Sequence, residues 1–146
     1  MHKVSVREIP DLNRLRPYLE GRSVNLDQIS FDKQAQSLDI PLAVIERGGH
    51  VLRNFLIFKK WEHPVVSARL HIYNARNCGI VDDARKGAGA IHYVSFKNDI
   101  ITISFREEIA VKVTVSNLFM ELSITDNQVG RERYCARKCR WPAVPG

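Results

Sequence analysis

Among the side chains able to do chemistry, His71 and His92 stand out, because each sits at a polar position in a run that alternates apolar and polar residues. Arg69 and Tyr73 share the parity of His71. On one sheet face, Arg69, His71, Tyr73 and His92 would combine a titratable imidazole, a fixed cation and a phenol, a set suited to holding a small ligand. The plainer reading is a solvated face, which alternating polar residues on a strand ordinarily make. His2, His50 and His63 belong to no motif, and no histidine has a Ser/His/Asp, Cys/His or HExxH context. Paired acids for hydrolysis must converge from separate strands, whereas Glu107 and Glu108 are neighbours that point apart. No catalytic residue is assigned.

Cys135 and Cys139 lie four apart, so a helical tail would put both thiols on one face. Structural zinc needs four ligands. The third cysteine, Cys78, and a distant histidine such as His71 or His92 would have to complete the set. The flanking Arg137, Lys138 and Arg140 would lower the thiol pKa values and favour redox chemistry. An odd cysteine count fits reduced thiols in the cytoplasm, and two incidental thiols need neither metal nor cofactor. The expectation is no metal and no cofactor.

The segment Lys86-Gly87-Ala88-Gly89-Ala90-Ile91-His92-Tyr93 resembles the RNP1 signature of RRM domains. That resemblance implies RNA binding by aromatic stacking on a βαββαβ sheet. Ala88 and Ala90 stand where the signature has aromatics, only Tyr93 remains, and residues 40–90 offer no helix. The same loop lacks the Gly-Lys-Ser/Thr and following helix of a phosphate cradle. Asp82 and Asp83 beside Arg85 and Lys86 are too few oxygen ligands for a calcium loop. Phe55, Phe58, Lys59, Lys60 and Trp61 interleave rings with cations, as single-stranded nucleic-acid sites do. Arg131, Arg133, Arg137, Lys138 and Arg140, followed by Trp141, form the stronger electrostatic footprint.

The chain has 146 residues, 45% of them apolar, and a net charge of +6. That length suits one domain able to bury a core without a metal or disulfide. The composition excludes a disordered chain, a collagen-like fibre and a small disulfide scaffold. Residues 129–146 carry five basic residues against one acidic, so the basic excess reads as a tail following a β domain over 1–128. No signal-peptide run opens the chain and no apolar stretch reaches membrane-spanning length. The expected localisation is cytoplasmic.

These residues must be positioned mainly by strands. Leu12, Leu15 and Leu19 mark a short helix over 11–20, with Asp11 as its cap, Pro17 as a break and Gly21 as its stop. Beyond it the period becomes 2. Strands are expected around Ile40–Ile45, Val51–Phe58, Val66–Tyr73, Ile91–Phe96, Ile101–Arg106, Ile109–Ser116 and Leu118–Thr125. Gly48-Gly49, Glu62-His63-Pro64, Asn98-Asp99 and Glu107-Glu108 read as breaks, and Asn74–Ala90 as the longest loop. Inward parity flips at Ser116-Asn117, which demands a turn or bulge. The last three strands read as a meander. Without helical crossovers the sheet must be antiparallel. The expected fold is mainly β: an antiparallel sandwich or barrel of about seven or eight strands.

Function is read at the same level. The best reading is a non-enzymatic module that binds a protein, or a second copy of itself, through a sheet face or strand edge. The motive is the run 51–58, apolar on both parities, together with the lack of a catalytic set. The alternatives are nucleic-acid binding through the tail and loop 85–89, and an enzyme or small-ligand barrel built on Arg69, His71, Tyr73 and His92.

Overall fold

Period-2 alternation decides the architecture. In the structure, a computed structural model, residues 2–45, 50–54 and 58–137 are described, with backbone alone over 50–54, 58–63 and 131–137. The strands are β1 (His2–Val6), β2 (Ser23–Asn25), β3 (Ser30–Asp32), β4 (Ser37–Ile45), β5 (His50–Asn54), β6 (Phe58–Ile72), β7 (Ala75–Val81), β8 (Ala88–Lys97), β9 (Ile100–Phe105), β10 (Ala110–Val115) and β11 (Met120–Arg137). Six of them form one sheet in the order β1-β11-β6-β4-β3, with β5 also on β6; the other five form a second sheet, β2-β8-β9-β10-β7. All pairings among the described residues are antiparallel.

The two sheets share one core. Leu38, Ile40, Val44, Val66, Leu70, Ile72, Met120 and Leu122 face Ile91, Ile101, Ile103, Val111, Val113 and Val115, all essentially inaccessible. Each such side chain contributes roughly 1.5–3 kcal/mol on leaving water. The mainly β, antiparallel, sandwich-like fold is as expected, but there are more strands than seven or eight. The short β1, β2 and β3 pair over only three to five residues, too few to leave an alternating run.

The N-terminal helical segment is a 3-10 stretch, Ile9–Arg14, followed by α1 (Arg16–Leu19), with Pro17 in the first turn of α1. Leu15 and Leu19 join the core. Asp11 does not cap from outside. It lies within the 3-10 stretch and its Oδ2 accepts from the backbone N–H of Arg7 and Glu8 at 3.1 Å each. Those two bonds hold its carboxyl below the usual range. Gly21 ends the segment at φ +81°, a left-handed turn that suits glycine.

Four sequence expectations need correction. Glu62-His63-Pro64 does not break the chain, since β6 runs through it. Pro64 sits in the gap where β4 has ended opposite Val65 and β5 begins opposite Glu62, so no strand on that side needs its missing N–H. Residues 51–58 are not one strand: β5 ends at Asn54 and β6 begins at Phe58, and 55–57, like Gly48-Gly49, lie outside the described residues. Residues 75–81, read as loop, form β7. The terminal meander is β8-β9-β10, because the parity flip at Ser116-Asn117 marks the crossing of the chain from one sheet to the other. The turns at Asn98-Asp99 and Glu107-Glu108 are as read, with Asn98, Asp99 and Glu108 all at positive φ.

The boundary at 128 falls inside β11, whose backbone stays paired with β6 from Gly130 opposite Val65 to Arg137 opposite Phe58. Arg131, Arg133 and Arg137 thus belong to a sheet strand. Lys138, Cys139, Arg140 and Trp141 lie outside the described residues.

Candidate interaction surfaces

Register brings three of the four face candidates together. Arg69 and His71 alternate with buried Leu70 and Ile72 on β6, so they occupy the outer face of the six-stranded sheet. β4 sets Asp39 opposite His71, and β11 sets Glu121 opposite it on the other side. Arg69 Nη1 donates to Asp39 Oδ2 in an ion pair, and His71 Nδ1 lies 3.8 Å from Asp39 Oδ1. Lys3 Nζ stands 3.5 Å from Glu121. Tyr73 follows directly. Its ring is 4.4 Å from that of His71 and stacks on Phe119 at 4.4 Å, and the Arg7 guanidinium lies 4.1 Å above Phe119.

This cluster spends its charges internally. Arg69 is bound to Asp39, Lys3 to Glu121 and Arg7 to a ring, which makes a cross-strand ladder. No hydroxyl or thiol is bonded to His71 among the described residues, so the ladder lacks a nucleophile–base pair. Asp39, Glu121, Phe119, Lys3 and Arg7 escape sequence reading because only the strand register makes them neighbours. Their signal is weak: each sits at a polar or half-buried position beside a buried one.

His92 lies elsewhere. It is exposed on β8, in the other sheet, at the residue where the β8–β9 register shifts. Its ring meets Tyr93 edge-on at 5.2 Å. It borders a cavity of about 290 Å³ between β8 and the helical segment, with Leu12, Asn13, Arg16, Glu20 and Tyr93 among the walls. The charged rim is already paired, Arg16 Nε to Glu20 Oε2 at 3.0 Å. The four-residue site is therefore corrected: Arg69, His71 and Tyr73 share a face, His92 is on the opposite sheet, and the enzyme or ligand-barrel reading that needs all four together is set aside.

The glycine loop closes on itself. Asp82 Oδ1 accepts from Lys86 N–H at 2.9 Å and Oδ2 from Gly87 N–H at 2.8 Å, which holds the Asp82 carboxyl below its usual range. A phosphate would need those same donors. Downstream, Glu107 accepts from Ala90 N–H through both oxygens, at 2.9 and 3.0 Å. A Cβ at Gly89 would come within 3.2 Å of the Glu107 carboxylate, so the residue there must be small. The RNP1-like spacing thus reports a braced strand start, and the two-sheet antiparallel topology is not βαββαβ. Among the described residues no three His, Cys, Asp or Glu side chains gather as a metal group.

The remaining surface is an edge. β7 pairs with β10 on one side and, among the described residues, with no strand on the other. Most of its residues are exposed, including Ile80 at 44% and Val81 at 42%, and a Cβ on Gly79 would face open space. Cys78, opposite buried Val113, is half-buried, and desolvation pushes its thiol pKa up. Cys135 stands opposite Lys60 on the sheet extension.

No family model, curated protein or solved structure matches this chain. Fold and surface define its class: a mainly β, antiparallel two-sheet domain whose smaller sheet ends, among the described residues, on β2 and β7. Among the described residues no helix is long and apolar enough to cross a membrane.

Proposed function

We propose that the protein is a small, cytoplasmic, non-enzymatic binding module that takes up a polypeptide strand along β7. The carrying observation is that edge: among the described residues β10 is the one strand paired with β7, only the N–H of Ala75 is bonded elsewhere, to the Gln36 carbonyl at 2.8 Å, and Ile80 and Val81 are exposed. Alternate N–H and C=O groups of an edge strand point outward without a ladder partner and form a template for another strand. Edges are ordinarily blunted by Lys, Pro or strong bulges. β7 has no Lys and no Pro; it has one charge, Arg76, beside a single register shift.

A display screen of random twelve-residue peptides tests this, with Ile80→Lys as counter-screen. An inward charge on the edge should abolish capture of extended, β-branched peptides. A screen yielding no binder sensitive to that substitution would sink the reading.

A second reading, nucleic-acid binding, is favoured by one observation. β6 over 58–64, β11 over 130–137 and β5 pair with one another beyond the ends of β1 and β4. This extension holds Arg53, Lys59, Lys60, Arg131, Arg133 and Arg137 against Glu62 and Glu132, a net of +4. Deleting 129–146 would strip a sheet strand, so the cleaner variant replaces Arg131, Arg133 and Arg137 with Ser. Binding to a single-stranded oligonucleotide should then lose about 2 from the slope of log K against log salt. Absent or salt-independent binding by the parent would rule this reading out.

A further inference from the structure

We infer that the strand taken up by β7 is β7 of a second copy of this chain, paired antiparallel about a two-fold axis at Gly79. This rests on the strand-addition reading and specifies its occupant.

Strand geometry limits the options. In an antiparallel pair, directly opposed residues either both point their N–H and C=O at each other or both point them away. Beyond the register shift, over Asn77–Val81, the outward-pointing groups share one parity. A self-pair must therefore join residues of like parity, and the two-fold axis must pass at a residue. Three centres keep most of β7 in register. At Cys78, Arg76 meets Ile80 of the other copy and its charge faces an apolar side chain. At Ile80, the half-buried Cys78 meets Asp82. At Gly79, Cys78 meets Ile80, Asn77 meets Val81 and Arg76 meets Asp82.

Only the last centre sets no charge against an apolar side chain, and it brings Arg76, at the register shift, towards Asp82. The two exposed apolar residues gain partners, and both copies of Arg76 face a carboxylate held ionised by its bonds to Lys86 and Gly87. Among the described residues Arg76 is exposed and has no ion pair within its own chain. Glycine at the axis also removes the clash of two identical side chains, and the space beside it is open. An isologous contact of this kind closes with two copies. Two five-stranded sheets become one continuous sheet, and both free edges disappear.

The test is light scattering after size exclusion over a concentration series, joined to a cross-link. The full chain should be a dimer that Ile80→Lys or Val81→Lys turns into a monomer, each variant keeping its β circular-dichroism signal. Val81→Lys guards against misfolding, since Val81 is outside the core. Arg76→Glu should raise the dissociation constant about tenfold, because like charges would then face each other. With the three native cysteines replaced by Ser, Gly79→Cys should oxidise to a disulfide-linked dimer, because opposed Cα atoms lie within bridging distance. A dimer that survives both lysine variants, or one that Gly79→Cys fails to cross-link, overturns the inference. So does a monomer at every concentration. If that monomer still captures peptides in an Ile80-sensitive way, strand addition stands and only the second copy falls. If it captures none, both fall.

Discussion

On the outer face of β4, β6 and β11, the charged side chains have been matched. Asp39 lies against Arg69 and His71, and Lys3 lies against Glu121. At β7 the side chains are ordinary and the backbone is what lacks a partner. The face is rich in residues that do chemistry and has little capacity left. The edge has few such residues and a row of unused hydrogen-bonding groups. Residue type shows what a surface could bind, and register shows whether that capacity is already used. A ladder of ion pairs adds modest stability even though Asp39 Oδ1 is buried without a hydrogen bond, whereas an open edge attracts a strand whatever its letters.

The sharpest way to break this comparison is within one strand. Leu70 lies between Arg69 and His71 and is fully buried. Leu70→Ala should cost about 2–5 kcal/mol in urea unfolding, because it leaves a cavity in a packed core. Arg69→Ala should cost less than about 1 kcal/mol, since its ion pair is largely exposed. If the two costs came out equal, the face would be a load-carrying element and the contrast with the edge would fail.

Tyr73→Ala should come next, at about 1–2 kcal/mol, because Tyr73 joins two rings, His71 and Phe119. Tyr73→Phe should retain nearly all of that, and the difference between the two variants isolates stacking from the hydroxyl. Smaller again is the Asp39–Arg69 pair. A double-mutant cycle with Asp39→Ala and Arg69→Ala should give a coupling of roughly 0.2–1 kcal/mol that shrinks in salt. A coupling above that range would mean the ladder organises the sheet.

Much of this fold was legible in the sequence. Alternation marked β4, the second half of β6, β9, β10 and the first half of β11, because each buries one face and exposes the other. Asn98-Asp99 marked its hairpin because both residues tolerate positive φ. What failed was β7. The run Ala-Arg-Asn-Cys-Gly-Ile-Val has no clean alternation, since an edge strand with little covering it places no consistent demand on either face. The Asp39–His71–Glu121 row was illegible for another reason: its members come from three strands whose register no local pattern encodes. The charge was misplaced for a third. Arg131, Arg133 and Arg137 follow two register shifts in β11, and those bulges hide the continuation of the strand.

Acid titration separates the loop beside β7 from the edge itself. The Asp82 pKa is lowered by backbone bonds from Gly87 and Lys86. Near pH 4 the unfolded chain therefore binds more protons at this site than the folded one, and stability rises with pH there. The contribution is fully present above the ordinary carboxyl range and is lost as pH falls through the lower folded value. Asp82→Asn should flatten that part of the stability curve while leaving the neutral-pH sheet content unchanged. A curve as steep in the variant as in the parent would show that the loop is braced by something other than this carboxylate.

The smallest effect is a rate, and it reads the edge directly. Burial pushes the Cys78 thiol up, so less thiolate is present at neutral pH and alkylation by iodoacetamide should be slower than for a free thiol. On the face, no such probe would respond to protein concentration, because its partners belong to the same chain. On β7 the partner proposed for Cys78 is Ile80 of another copy. Its alkylation, followed by peptide mapping to separate it from Cys135 and Cys139, should slow as the protein is concentrated and recover on dilution. In Ile80→Lys the rate should be the same at every concentration. If the parent also showed a flat rate, Cys78 would be shielded by its own sheet alone, and the edge would be as self-sufficient as the face.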